Sequence, residues 1–147
     1  MNYVKMTFIF LALLSFSCKA QKKAVTPDSI VNAFFTEYKQ TGINRAIDNI
    51  FSSSDLDKKE ALPFIKDTLA QTIKLVGERY YGQELIIKKS VTSSLCFYSY
   101  LVRYPISPLR FTFIFYKAEN EWKLIKFSFD ENLSTEMEEI GRLYFMK

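Results

Sequence analysis

Arg103, Arg110 and Asp130 are the charged residues whose types and spacing could bind a ligand. The two arginines flank the short connection Pro105–Pro108 between two predicted strands, and Asp130 ends the following strand. In a tight hairpin we expect the arginines to lie opposite each other, where they repel unless an acid or anion sits between them. Two interpretations stay open: a solvated salt-bridge cluster completed by Asp130, or a site for a carboxylate or phosphate, which arginines hold by forked hydrogen bonds.

The chain has two cysteines and no histidine, which narrows its possible chemistry. Without histidine there is no Ser-His or Cys-His triad, no histidine zinc site and no histidine acid–base catalysis. Cys96 lies between Leu95 and Phe97, as an ordinary strand cysteine would. We expect no metal and no cofactor. Asp55-Leu-Asp57 lacks the Gly and the distal Glu of a calcium loop, and the acids of Glu136–Glu139 are favourable anyway near the start of a helix.

The N-terminal segment predicts export. Residues Met6–Phe16 are apolar apart from one Thr and one Ser, and three lysines follow within the next seven residues. This run fits a signal-peptide core and falls short of the about 20 residues of a membrane span. Ser17-Cys18 is similar to a bacterial lipoprotein signal, which implies a signal peptide over residues 1–17 and a lipid on Cys18 that anchors the chain to a membrane. Alternatively, cleavage follows residue 20 and frees the protein into the periplasm or medium.

After a linker over residues 18–25, one domain is expected over residues 26–147, with helices first. Thr26-Pro27-Asp28-Ser29 is a strong helix start, and Gly42 ends that helix. A second helix is predicted over Ile43–Phe51, and a third from Asp55 or Asp57 to Val76. A final helix is predicted to start near Leu133, with Thr135 and Glu138 as a capping box.

Between these helices, an alternation with a period of two predicts strands joined by short connections. Neighbouring strands should therefore pair antiparallel, which makes the fold α+β: N-terminal helices packed on a curved four-stranded antiparallel sheet, with a C-terminal helix. The expected strands are Glu84–Val91, Leu95–Tyr104, Leu109–Lys117 and Glu121–Phe129.

The two faces of the predicted sheet differ in character. The inner face is nearly all aromatic or branched, and Ile125 is assigned to it. A cone enclosed by helices and sheet would hold a candidate ligand pocket lined by Phe34, Tyr38, Tyr80, Tyr98, Tyr100, Phe111 and Phe113. The alternative is that these rings simply fill the core. The outer face gathers a candidate interface of Phe97, Tyr116, Trp122 and Leu124.

The order of elements resembles the nuclear-transport-factor-2-like (cystatin-like α+β cone) superfamily, in its uncharacterised exported bacterial members. The resemblance covers roughly residues 26–129. It rests on the segments Tyr104-Pro-Ile-Ser-Pro-Leu-Arg-Phe111, Phe113-Ile-Phe-Tyr116 and Phe127-Ser-Phe-Asp130, together with Trp122. It implies a sheet that wraps a helix, and it leaves the activity open because this superfamily hosts enzymes, ligand carriers and structural dimers.

Three functions follow as expectations. The first is an exported, lipid-anchored, non-catalytic binding or interaction module. The second is an isomerase or dehydratase with an aromatic pocket, for which Glu37, Asp48 and Glu78 are the available carboxylates. The third is a homodimer, or a subunit docked on another envelope protein, through the outer sheet face. Without residues 1–17 the chain has 19 basic and 16 acidic side chains. This excess of positive charge is too small to imply that the protein binds nucleic acid.

Overall fold

The computed structural model describes residues 25–54, 61–134, 137–138 and 141–142. Three helices precede four strands, so the predicted α+β class is confirmed. The predicted signal peptide, Cys18, the caps Asp55 and Asp57, and most of the predicted C-terminal helix lie outside the described residues. The elements are α1 (Pro27–Thr41), α2 (Ile43–Ile50), a 3₁₀ turn (Phe51–Ser53), α3 (Ala61–Val76), β1 (Gly82–Thr92), β2 (Leu95–Arg103), β3 (Leu109–Lys117) and β4 (Trp122–Asp130).

Helix α1 begins and ends where its sequence predicts. The backbone N–H of Ser29 donates to the Thr26 hydroxyl over 3.2 Å, and the backbone N–H of Thr26 donates to the Ser29 hydroxyl over 2.9 Å. This reciprocal capping box satisfies amide groups that the first helical turn leaves without partners. Pro27 occupies the first turn, and Gly42, at φ +98°, ends the helix in a conformation that favours glycine.

Helices α2 and α3 bury the apolar residues expected from their spacing. In α2 these are Ile47 and Ile50; in α3 they are Leu69, Ile73 and Val76. Gly77 follows α3 at φ +103°, and a Cβ there would lie 3.1 Å from the Pro105 ring. The glycine therefore lets the end of α3 approach the connection between β2 and β3. Within the part of the chain that the structure describes, no helix has the length and apolarity to cross a bilayer.

The four strands form an antiparallel meander in the order β1-β2-β3-β4. Its inner face packs against α1, whose Phe34 and Phe35 contact Phe111 and Phe113 of β3. Burial of these rings, driven by the hydrophobic effect, holds helix and sheet together.

The pairing of β2 with β3 differs from the predicted register by two residues. Val102 lies opposite Leu109, and Leu101, rather than Arg103, lies opposite Arg110. A shift of two keeps every side chain on its predicted face, because side chains alternate with a period of two. It does, however, separate Arg103 from Arg110, so the predicted arginine pair does not form.

A β-bulge changes the faces of β4. Ile114 lies opposite Lys126 and Phe115 lies opposite Leu124, which leaves Ile125 as the extra residue. The first part of β4 is therefore turned over relative to the prediction. Leu124 is buried at 1 % exposure, Ile125 is 47 % exposed, and Trp122 packs partly buried against the core. The predicted inward position of Ile125 and outward positions of Leu124 and Trp122 are wrong for this reason.

Because of the bulge, we expect the neighbouring residues Leu124 and Ile125 to contribute unequally to the stability of the fold. We expect Leu124→Ala to lower the free energy of unfolding by about 2–5 kcal/mol, because it leaves a cavity in a packed core. Ile125→Ala should change it by no more than about 0.5 kcal/mol, as is usual for exposed positions. Urea unfolding of both variants measures the difference. Equal losses in the two variants would contradict the bulged register.

Candidate functional site

The aromatic residues predicted to line a pocket divide into two groups in the structure. Phe34, Tyr98, Phe111 and Phe113 lie at 2 % exposure or less. The ring centres of Phe34 and Phe113 are 5.2 Å apart in an edge-to-face arrangement, and Phe127 lies 5.2 Å from Phe113. These distances are those of packed aromatic neighbours. The inner rings therefore contribute to the core. From the sequence alone, either a ligand lining or simple core packing was possible for them.

Of the remaining three, Tyr100 contacts Phe35 and Phe113 of the core. Tyr38 and Tyr80 instead form a tyrosine cluster with Tyr104 at the C-terminal end of α1. The hydroxyl oxygens of Tyr38 and Tyr104 lie 2.6 Å apart in a buried hydrogen bond. Tyr80 stacks on Tyr38, with ring centres 4.4 Å apart and an angle of 28° between the planes. Tyr104 was not among the predicted pocket residues, although its alternation with Tyr100 and Val102 had placed it on the inner face.

Burial keeps the phenols of this cluster neutral. It raises the pKa of Tyr104, and the nearby Tyr38, which hydrogen-bonds to it, raises that pKa further. Burial also raises the pKa of Tyr38, and this effect outweighs the hydrogen bond with Tyr104, which lowers that pKa. The pKa of Tyr80 is raised to about 12, mainly by burial. A neutral phenol can donate a hydrogen bond, and the Tyr80 hydroxyl donates to the side-chain oxygen of Gln83.

Beside this cluster lies an open cleft of about 380 Å³ between α1 and the start of β1. A volume of this size falls in the range of about 300–1,000 Å³ that is typical of small-ligand sites. The helix contributes residues spaced three and four apart, which places them along one side of α1. The cleft is lined by Asn32, Phe35, Thr36, Lys39, Tyr80, Tyr81, Gly82 and Gln83. Of the seven predicted pocket residues, Tyr80 belongs to this lining.

The cleft exists because the helices do not cover β1. Leu85 shares a face with its neighbour Tyr100, which contacts Phe35 at a ring-centre distance of 4.9 Å. Leu85 is nevertheless 51 % exposed. Strand β1 is an edge strand of the sheet, and none of its residues is buried. The flank of the helix and the uncovered strand then form the two walls of the cleft.

The predicted cluster of Arg103, Arg110 and Asp130 is divided between two places. Arg110 and Asp130 lie directly opposite each other and form the predicted ion pair, with Nη2 and Oδ1 2.9 Å apart. Asp130 also accepts a hydrogen bond from the backbone N–H of Asn132. Arg103 instead pairs with Glu84 of β1 at 3.3 Å. The Arg110–Asp130 pair is thus engaged within the protein, and Arg103 lies beside the cleft.

The predicted interface also changes composition. Phe97 and Tyr116 lie on the outer face, where Tyr116 is 44 % exposed. The ammonium group of Lys117 instead lies over the Trp122 ring, 5.2 Å from the ring centre. The bulge adds the exposed Ile125 to the surface in place of Leu124. The outer surface therefore keeps two of the four predicted residues.

The other potentially reactive side chains, those of Cys96 and Asp28, are engaged in structural contacts. Cys96 is buried, with its sulfur 3.6 Å from the Ser90 hydroxyl. Asp28 at the start of α1 pairs with Lys88 of β1 at 2.7 Å, which ties the helix to the sheet. Among residues 25–54 and 61–134 and the few described beyond them, no three acidic, cysteine or histidine side chains come together as metal ligands would.

Comparison of the chain with models of known protein families, with curated proteins and with solved structures finds no match. The chemistry of the described residues is therefore the basis for a functional assignment. Within it, the cleft between α1 and β1 combines a suitable volume, aromatic walls and polar side chains.

Proposed function

We propose that this chain is an exported, non-catalytic binding module that holds a small ligand in the cleft between α1 and β1. The observation that carries the proposal is the cleft itself. Its walls combine three aromatic rings with four polar side chains, which offer a ligand both stacking surfaces and hydrogen-bond partners. The tyrosine cluster behind it supplies a rigid wall, since Tyr80 is held between the Tyr38 ring and Gln83.

The N-terminal segment completes this proposal. A diacylglycerol on Cys18 would anchor the domain at the bacterial cell envelope, with the cleft facing the surrounding medium. The resemblance to the nuclear-transport-factor-2-like superfamily belongs to the proposal as well. Three helices followed by a four-stranded antiparallel sheet agree with it in element order, although this sheet is not strongly curled.

Binding is favoured over catalysis because two of the three carboxylates considered for an enzyme are engaged elsewhere, and the third, Glu78, does not line the cleft. Glu37 accepts a hydrogen bond from Thr41 and lies 3.9 Å from Arg45. Asp48 pairs with Lys66 of α3. Neither carboxylate lines the cleft, where a general base would have to reach a bound substrate.

Native mass spectrometry of the processed protein, purified from its own host, tests the binding function. We expect a co-purifying small molecule, which Thr36→Trp should displace because the indole fills the cleft from α1. Gln71→Trp, an equally large change on the exposed side of α3, should retain it. Retention of the molecule by both variants would contradict the cleft as the site. The same spectra show whether Cys18 carries a lipid.

A second candidate is docking through the outer sheet face. Phe97 and Ile114 are direct neighbours there, and Tyr116 and Ile125 are exposed nearby. An exposed apolar group of this kind is typical of an interaction surface. A dimer detected by light scattering would support a homodimer, and a monomer would leave docking on another envelope protein.

A further inference from the structure

The cleft has an apolar floor suited to a flat ligand. Phe35 is buried at its base, and the ring of Tyr80 is fixed by stacking on Tyr38. Tyr81 stands at the opening, 53 % exposed. Aromatic rings favour stacked or edge-to-face contacts with other rings. Because Phe35 and Tyr80 are already held in place, a planar ligand would lose little free energy in ordering them.

The charge of the cleft selects against cations. Lys39 is the one basic residue of the lining, and none of the eight lining residues is acidic. The guanidinium of Arg79 lies 5.6 Å from the centre of the Tyr81 ring, which adds a second positive charge near the opening. The neighbouring acid, Glu84, is paired with Arg103. The eight lining residues therefore carry a net positive charge, and a ligand with one negative group would complement it.

The lining offers a ligand hydrogen-bond donors at Lys39 and Gln83. The side-chain oxygen of Gln83 accepts from Tyr80, and its NH2 group is left to donate to a ligand. Lys39 offers three N–H donors and no acceptor. The Thr36 hydroxyl donates to the backbone oxygen of Asn32 over 2.8 Å, so its oxygen is left to accept. Donors at Lys39 and Gln83 match a carboxylate, and Thr36 matches a single hydroxyl group.

From these three properties we propose that the cleft binds a small aromatic carboxylate, with its ring against Phe35, Tyr80 and Tyr81 and its carboxylate at Lys39. This rests on the proposed function of the cleft as a binding site. A carboxylate fits better than a phosphate. Lys39 is the one cation among the lining residues, because Arg103 is paired with Glu84 and Arg79 lies over the Tyr81 ring, whereas phosphate sites usually gather several cationic groups. Arg110 is already paired with Asp130 and lies in β3, away from this wall.

Isothermal titration of the processed protein with three matched probes tests the ligand class. The probes are 4-hydroxybenzoate, the neutral 4-hydroxybenzamide and the cationic 4-hydroxybenzylamine. We expect the acid to bind about tenfold more tightly than the amide, the difference that one charge-assisted hydrogen bond typically makes. The amine should bind more weakly than either. Lys39→Gln should remove the preference for the acid, whereas Lys74→Gln, in the last turn of α3, should preserve it.

Each alternative outcome overturns the inference in a different way. Equal affinities for the three probes, or an unchanged preference in Lys39→Gln, would show that charge does not select the ligand. Failure of all three probes to bind would exclude this ligand class, even if Thr36→Trp still displaces a co-purifying molecule of other chemistry. In that last case the cleft remains a binding site, so failure of the ligand class is distinguishable from failure of the proposed function.

Discussion

Replacement of Phe113 with alanine should lower the free energy of unfolding by about 3–5 kcal/mol, the usual cost of removing a buried aromatic ring. Phe113 has no exposed surface, and its ring lies 5.2 Å from both Phe34 and Phe127. The variant loses the buried area of the ring and leaves a cavity between α1 and the sheet. A loss of this size approaches the whole stability of many small domains. Urea unfolding followed by circular dichroism measures it.

The control for this variant is Tyr116→Ala on the outer face. It removes a ring of similar size from an exposed position, and it should change the free energy of unfolding by no more than about 0.5 kcal/mol. If Phe113→Ala cost as little as this control, the ring would not be packed, and a ligand lining at Phe113 would become the better interpretation.

The second large effect is expected at alkaline pH, where the fold should lose stability steeply. Five phenols have a raised pKa, with burial as the main cause. Each therefore stays protonated in the folded chain at a pH where the unfolded chain has already ionised it. In that range each lowers the free energy of unfolding by up to about 1.4 kcal/mol per pH unit. The five are Tyr38, Tyr80, Tyr98, Tyr100 and Tyr104.

The pH range follows from the direction of these shifts. The stabilising contribution is complete below pH 10, the ordinary value for tyrosine, and it is lost as the pH rises toward the folded value, about 12 for Tyr80. Absorbance at 295 nm, which reports tyrosinate, and circular dichroism should be recorded through the same titration. We expect a delayed rise in absorbance that coincides with unfolding. Ionisation of every tyrosine near pH 10 with the fold intact would contradict the buried cluster.

The local elements could be predicted from the sequence because their signals are local. Thr26, Pro27 and Ser29 define the start of α1 through capping groups a few residues apart, and Gly42 defines its end. The alternation of apolar residues after residue 84 predicts each strand to within one or two residues. Such patterns depend on backbone geometry within one element, which neighbouring elements leave unchanged.

The register between strands was harder to predict because it depends on two elements at once. The connection from β2 to β3 contains Pro105 and Pro108, and it spans more residues than a tight hairpin. The pairing therefore begins at Val102 and Leu109. The bulge at Ile125 has no glycine or proline to mark it. The sequence indicates the bulge through Leu124-Ile125, two adjacent apolar residues of which one has to lie outward.

The cleft could not be predicted from the sequence because it depends on what the helices leave uncovered. Residues Asn32, Thr36 and Lys39 follow a helical spacing, but they read as a solvated face of α1. Only the position of α1 relative to β1 brings them near Tyr80 and Gln83. The aromatic residues of the core gave the stronger signal in the sequence, and the structure packs most of them against one another.

The most direct test of the account is to locate a bound ligand by NMR on the isotope-labelled processed protein, titrated with 4-hydroxybenzoate. If the ligand binds in the cleft, the chemical-shift changes should be concentrated at Asn32, Thr36, Lys39, Tyr81 and Gln83. The core rings of Phe111 and Phe113 should change little. Thr36→Trp should abolish these shifts. Shifts centred on Phe111 and Phe113, or on the outer-face residues Phe97 and Tyr116, would contradict the cleft as the binding site.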